Sequence, residues 1–368
     1  MSLDDGVHGK RAVHRSLGAT SRRPRGPNTG RMHPRLEHIA ASRLGIFTGR
    51  EAVAAGYRPD EIRAELSAGR WRRLRRGVYM QSEQFARSRE DERLRHLVDC
   101  VAVLVSLGRG PVISHASAAR MHRFVTPRDI GAEVRLTDVR QWRRGRGYRV
   151  ARAALPPGDL QRLLGFGVTA PARTIIDCAR EWELVDSVVA MDAAINEERV
   201  TRASLRGALM AATHWVGIGV AARALALADG RADSPLETRG RLALLAAGLP
   251  APELQVELHG PRGLLARVDA WFDDAAVAVE FDGKVKYTDP RDGRDPAEVL
   301  WREKRREDAV RELGVRFVRI AQVDLADSRR PEMVRRVASL LATPATQPRR
   351  FIAVRTPEPG TPMDGAAA

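Results

Sequence analysis

Apolar positions along the chain keep two rhythms, steps of three and four for helices and steps of two for strands. Between residues 34 and 80 they predict a compact unit. A helix is expected around Leu36–Leu44. Thr48 and Glu51 form a capping box, each side chain covering the other's free backbone amide, and open a short helix that stops at Gly56. Pro59-Asp60-Glu61 opens another, with Ile62 and Leu66 on its buried side and Gly69 as its stop. Trp71–Leu74 and Val78–Met80 read as strands joined by Arg75-Arg76-Gly77. Three helices followed by a basic hairpin is the pattern of a winged helix-turn-helix.

Residues 90–230 read as mostly helical. Leu94, Leu97, Val98, Val101, Leu104 and Val105 form a helical stripe. Further helices are expected at Pro171–Arg180, Leu184–Asn196 and Arg202–Ala211, with strands near Ala132–Thr137 and Tyr148–Ala153. From Asp233 the pattern changes. Ser234-Pro235-Leu236-Glu237 combines a capping residue, Pro at the first helical position and Glu at the third. That helix runs to Gly248. Gln255–Leu258, Ala266–Phe272 and Val277–Gly283 follow as strands, Asp295 caps a helix ending at Gly314, and Val315–Ile320 is a last strand. The order is α-β-β-β-α-β. The expected fold class is α+β and multidomain: a tail over 1–33, a winged helix over 34–82, a helical middle region over 90–230, an α-β-β-β-α-β core over 231–342 and a tail over 343–368. Both tails are expected to be disordered, being rich in Gly, Pro, Ser, Thr and Ala. Met32, just before the first periodic segment, is a candidate true start.

Composition sharpens this picture. Lys+Arg number 62 against 46 Asp+Glu, a formal charge of +16. Such an excess favours a polyanionic partner, nucleic acid first; a solvated basic surface is the plainer reading. Cys100 and Cys178 both lie in apolar helical stretches, which argues against a disulfide framework and suits a cytoplasmic location. No apolar run reaches the roughly 20 residues of a membrane span.

The second and third strands of the last core carry the candidate chemistry. If Phe272 pairs with Val277, Asp269 lies opposite Glu280. Alternation then puts Val268, Ala270, Phe272, Val277, Val279 and Phe281 on one face and Asp269, Glu280, Asp282 and Lys284 on the other. Facing carboxylates are about 5 Å apart at Cβ and destabilise one another unless one is protonated. A hard divalent cation, Mg²⁺ or Mn²⁺, relieves the conflict, and Lys284 could orient water and stabilise charge on a phosphate. An ordinary solvated acidic face is the alternative.

Asp269 with Glu280-Phe281-Asp282-Gly283-Lys284, in this element order, resembles the PD-(D/E)XK nuclease superfamily, and more narrowly a bacterial domain related to very-short-patch repair endonucleases. The resemblance implies a restriction-endonuclease-like core with Asp269, Glu280 and Asp282 as metal ligands and Lys284 as a catalytic residue. Glu237 falls where many members carry a further acid; a capping-box role explains it equally well. Val268 replaces the motif's Pro. Lys284, Lys286 and Tyr287 stand where relatives of the repair enzymes often carry histidine. Lys304, Arg305 and Arg306 could face a phosphate or form a solvated helix face.

At the front end, Arg70, Arg72, Arg73, Arg75 and Arg76 crowd the hairpin, and Arg58 and Arg63 flank the candidate recognition helix beside Asp60, Glu61 and Glu65. Arginines here would neutralise phosphates, with binding that weakens steeply in salt. Residues 37–80, with the run from Gly69 to Tyr79 as their most specific part, resemble the winged-helix domain of AbiEi-type antitoxins of type IV toxin–antitoxin systems. That resemblance implies binding to double-stranded DNA at the promoter of the protein's own operon, and a cognate toxin as partner. Ile113-Ser114-His115-Ala116-Ser117 resembles a stretch that follows the domain in that group; His115 reads as a helix-start or core histidine. Arg140, Arg143, Arg144, Arg146 and Arg149 around Trp142 either extend the DNA surface or form a loop. Two functions follow as expectations: a DNA-binding, metal-dependent endonuclease, or an AbiEi-like repressor without nuclease activity.

Overall fold

The computed structural model describes residues 32–108, 110–282, 310–343 and 349–360. Its front unit comprises α1 (Pro34–Ala41), β1 (Ile46–Thr48), α2 (Gly49–Ala54), α3 (Pro59–Ser67), β2 (Trp71–Arg75) and β3 (Val78–Gln81). The Thr48–Glu51 capping box is formed, with Oε2 of Glu51 accepting from the Thr48 amide at 2.8 Å and Oγ1 of Thr48 from the Glu51 amide at 3.1 Å. The strands pair in the order β1-β3-β2, the arrangement of a winged helix. One face of this small sheet buries Phe47, Trp71 and Tyr79 against Leu36, Ala52 and Ile62. Phe47 meets Trp71 edge-on at 4.7 Å. The other face sends Ile46, Val78 and Met80 into a second core with Leu97, Val98 and Val101 of α5 (Glu92–Leu107). A sheet covered on both faces needs unbroken apolar runs, which is what Val78-Tyr79-Met80 supplies. The short helix α4 (Ser82–Ser88) makes the join.

The middle region is helix-rich, as expected, but it also holds a sheet larger than the two strands the sequence suggests. β4 (Val112–Ile113), β5 (Val134–Asp138), β6 (Arg143–Gly145), β7 (Tyr148–Arg152), β8 (Leu160–Leu163) and β9 (Phe166–Thr169) form one sheet in the order β6-β7-β5-β4-β9-β8. Only β5 and β7 are legible as strands in the sequence. The others are two to four residues long, too short to show a period. α6 (His115–Met121) follows β4, and α7 (Pro171–Ala179), α8 (Leu184–Asn196), α9 (Arg202–Ala211) and α10 (Ile218–Leu227) build a helical core around Ile176, Met191, Ile195 and Leu205.

The last unit opens with α11 (Pro235–Ala246), followed by β10 (Glu253–Gly260), β11 (Gly263–Phe272), β12 (Val277–Asp282), β13 (Arg316–Ala321) and α12 (Arg330–Leu341). β10, β11 and β12 are antiparallel neighbours and β13 runs parallel to β12. Most of the helix expected over 295–314 lies outside the described residues. Two corrections arise. The tail over 343–368 is not wholly disordered: Ile352–Arg355 form β14, antiparallel to β10 at the sheet edge. Nor does Val268 share a face with Ala270. Ala270, Phe272, Val277, Val279 and Phe281 pack towards α11 and α12, whereas Val268 packs with Val256, Trp271 and Ala278 on the other side. The register explains why. Gln255, in β10, has φ 53°, and this left-handed residue inverts the alternation, so Leu254 and Val256 also join different cores.

Candidate nucleic-acid interface and acidic cluster

The wing hairpin does not fan all its arginines into solvent. β2 carries a bulge between Arg73 and Arg75, because Arg73 pairs with Tyr79 and Arg75 already with Val78. Arg70 is held by Glu65 through two hydrogen bonds of 2.7 and 3.0 Å, which raise its pKa. Arg58 is spent on Asp60 at 3.1 Å and Glu61 at 3.9 Å. Arg72 stacks over Phe85. Arg75 turns to the middle sheet, its guanidinium donating to the Arg146 carbonyl at 2.8 Å. Arg58, Arg70 and Arg72 are exposed as well, but Arg63, Arg73 and Arg76 are exposed with no ion pair or ring contact to another described residue. The acids of α3 are largely neutralised: Glu65 is buried against Arg70, and Asp60 and Glu61 lie against Arg58. What α3 exposes beyond its first turn is Arg63, Ala64 and Ser67, small or basic groups that let a phosphate backbone approach.

In the last unit, the structure brings Glu237 and Asp269 together. The β11–β12 ladder runs from Phe272–Val277 to Ala270–Val279, and beyond it the Asp269 carboxylate accepts from the Phe281 amide at 2.8 Å. Glu237 is 5% exposed. It accepts from the Asp233 amide, the Ser234 hydroxyl and Nε2 of Gln255, at 2.9, 2.9 and 2.8 Å. Burial, and then the negative charge of Asp269, push its carboxyl up to about 7. Ser234 caps α11, and Glu237, at the third helical position, is held by that cap and is a neighbour of Asp269. Glu280 lies in register with Arg319 on β13, and Asp282 ends β12. Among the described residues no three acid, histidine or cysteine side chains are gathered closely enough to hold a metal ion. Lys284 lies outside the described residues, as do Lys286, Tyr287, Lys304, Arg305 and Arg306.

Sequence reasoning missed Gln255. It is 3% exposed, and no signal marks it, since it is one of the alternating polar positions of β10 beside Glu253, Glu257 and His259. His115 starts α6 and is buried, with Nδ1 2.8 Å from Oγ of Ser114. Its burial lowers its pKa and keeps it neutral, a core histidine.

Residues 34–80 match the AbiEi antitoxin family of transcriptional regulators, which supports a DNA-binding, regulatory role for the front unit. Two curated proteins of Mycobacterium tuberculosis, uncharacterized protein MT2308 of strain CDC 1551 / Oshkosh and uncharacterized protein Rv2248 of strain ATCC 25618 / H37Rv, are each 36% identical over 166 residues. The aligned stretch is 45% of this chain and 59% of each relative, so the chain spans about three fifths of their length. The crystal structure of the RV2827C protein from Mycobacterium tuberculosis aligns at 15% identity and a TM-score of 0.37, covering 60% of this chain and 81% of that one; a likeness that low carries no argument about the fold. None of these likenesses speaks to phosphodiester hydrolysis. Among the described residues no helix is long and apolar enough to cross a membrane.

Proposed function

We propose that this protein is a DNA-binding transcriptional regulator of the AbiEi antitoxin type, which docks on duplex DNA at its own promoter through the winged helix and answers to a cognate toxin. One observation carries the reading. Arg63, Arg73 and Arg76 stand exposed on the segment that matches the family, while the neighbouring Arg58 and Arg70 are used internally. Cations without an internal partner contact phosphates at no cost in broken ion pairs. A gel shift on the region upstream of the protein's own gene tests it. The wild type should shift the band, and Arg73→Glu/Arg76→Glu should weaken binding and lower the salt slope by about 2. No shift by the wild type would reject the proposal.

A second reading keeps the last unit as a metal-dependent, endonuclease-like domain, with Asp269, Glu280 and Asp282 as ligands and Lys284 and Glu237 assisting. The raised Glu237 pKa beside Asp269 favours it, since a divalent cation would relieve that crowding. Calorimetric titration of the full chain with Mn²⁺ should then show binding that Asp269→Asn abolishes. Equal nicking of DNA by wild type and by Asp269→Ala and Lys284→Ala variants would dismiss this reading.

A further inference from the structure

The wing is not the only basic hairpin, and the two are joined. Arg75, at the wing tip, reaches 71 residues along the chain to donate to the carbonyl of Arg146. Its guanidinium also stacks on the ring of Tyr148, 5.0 Å from the centroid. Tyr148 in turn lies against the backbone of Gly145, its partner across the β6–β7 hairpin. A Cβ on Gly145 would come within 2.3 Å of that ring, so only glycine leaves room for this seat. The turn closes through Gly147 at φ 72°. A cation–π contact and a hydrogen bond on one guanidinium thus clamp the β6–β7 hairpin beside the wing.

The clamped hairpin is strongly basic. Arg140, Arg143, Arg144 and Arg146 are all exposed, and none forms an ion pair with another described residue. Arg149 differs, being tied to Glu133 at 3.3 Å. Trp142, 66% exposed, stands between Arg140 and Arg143 with no apolar cover. A bare indole among unpaired guanidiniums suits a surface that meets sugars and phosphates rather than one that packs on protein. The wing presents Arg73 and Arg76 on the other side of the clamp.

We infer that the β6–β7 hairpin is a second DNA-backbone element, which continues the wing's contact onto the flanking duplex. Arg143 and Arg144 neutralise phosphates beyond those met by Arg73 and Arg76, and Trp142 lies along the sugar edge. The occupant is duplex DNA because the ridge is continuous with the winged helix and of the same sign. These contacts position the protein without reading bases, so they act on any flanking sequence. The inference rests on the proposed promoter-binding role of the winged helix.

The test is fluorescence anisotropy with a labelled duplex from the upstream region and an unrelated duplex of equal length, each across a salt series. Wild type, Arg143→Glu/Arg144→Glu and Arg73→Glu/Arg76→Glu are compared, with far-UV circular dichroism confirming the fold of each. Arg143→Glu/Arg144→Glu should lower the slope of log K against log salt by about 2 on both duplexes, and Trp142→Ala should weaken binding without changing that slope. Wild-type binding that is lost only in Arg73→Glu/Arg76→Glu, with Arg143→Glu/Arg144→Glu unchanged, overturns the second element and leaves the winged-helix reading standing. In that outcome the ridge serves an acidic protein surface instead. Absence of wild-type binding overturns both.

Discussion

Asp192 shows what a single side chain contributes to the join between the helical core and the last unit. It sits on α8, 1% exposed, and accepts from the Asp229 amide at 2.7 Å, the Thr238 hydroxyl at 2.9 Å and Arg241 at 3.0 Å. Thr238 and Arg241 belong to α11, so the carboxylate ties two units together. Burial outweighs these partners and lifts its pKa from 3.8 to about 6. An acid with a raised folded pKa holds its proton longer folded than unfolded. Its contribution is therefore fully present below pH 3.8 and is lost as pH rises to about 6. Asp192→Asn should destabilise the protein by roughly 1–3 kcal/mol, because its amide hydrogens face donors. That deficit should be larger near pH 4 than at pH 7 in thermal melts, and a deficit that grows with pH would reverse the assignment. Residues of this kind are hard to read in advance. The Glu237 capping position was legible from Ser234-Pro235 alone, but its proximity to Asp269 depends on the sheet, and Gln255 carries no motif. Asp192 looks like any polar residue on a helix until α11 closes over it.

At the scale of elements, length decided what was legible. α5 and α11 declare themselves over several turns, and the β11–β12 hairpin pairs in the register expected from Phe272 and Val277. The two-residue β4 and three-residue β6 have no period to detect, and β14 hides in a Pro- and Thr-rich stretch. β14 is nonetheless anchored. Phe351 packs edge-on against Trp271 at 5.8 Å, and Glu358 takes the fork of Arg202 at 2.7 and 3.0 Å. Phe351→Ala should cost about 3–5 kcal/mol, the usual penalty for emptying a buried aromatic site. Ending the chain at Thr343 should go further, lowering the melting temperature and producing self-association by light scattering, since an unpaired edge strand recruits others. A monomer of unchanged melting temperature would show that β14 adds nothing.

For the molecule as a whole, the boundary expected near residue 82 is less a gap than a seam. The wing sheet lends Ile46, Val78 and Met80 to a core built on α5. A fragment of residues 32–82 should therefore melt well below a fragment of residues 32–170 by circular dichroism, because it leaves that face in water. Equal melting would mean the winged helix stands alone. The seam was invisible in the sequence because both faces of β3 read simply as apolar.

The placing of β14 also bears on how the chain is made. β10 leaves the ribosome long before its outer neighbour exists, since residues 261–351 must be added first. At ordinary synthesis rates that interval lasts roughly 5–20 s. Throughout it, one row of β10 amides and carbonyls faces whatever nascent chain is growing nearby on the same message. Slow codons between β10 and β14 lengthen that exposure, so synonymous changes there should alter how much protein reaches the native state without altering the protein itself.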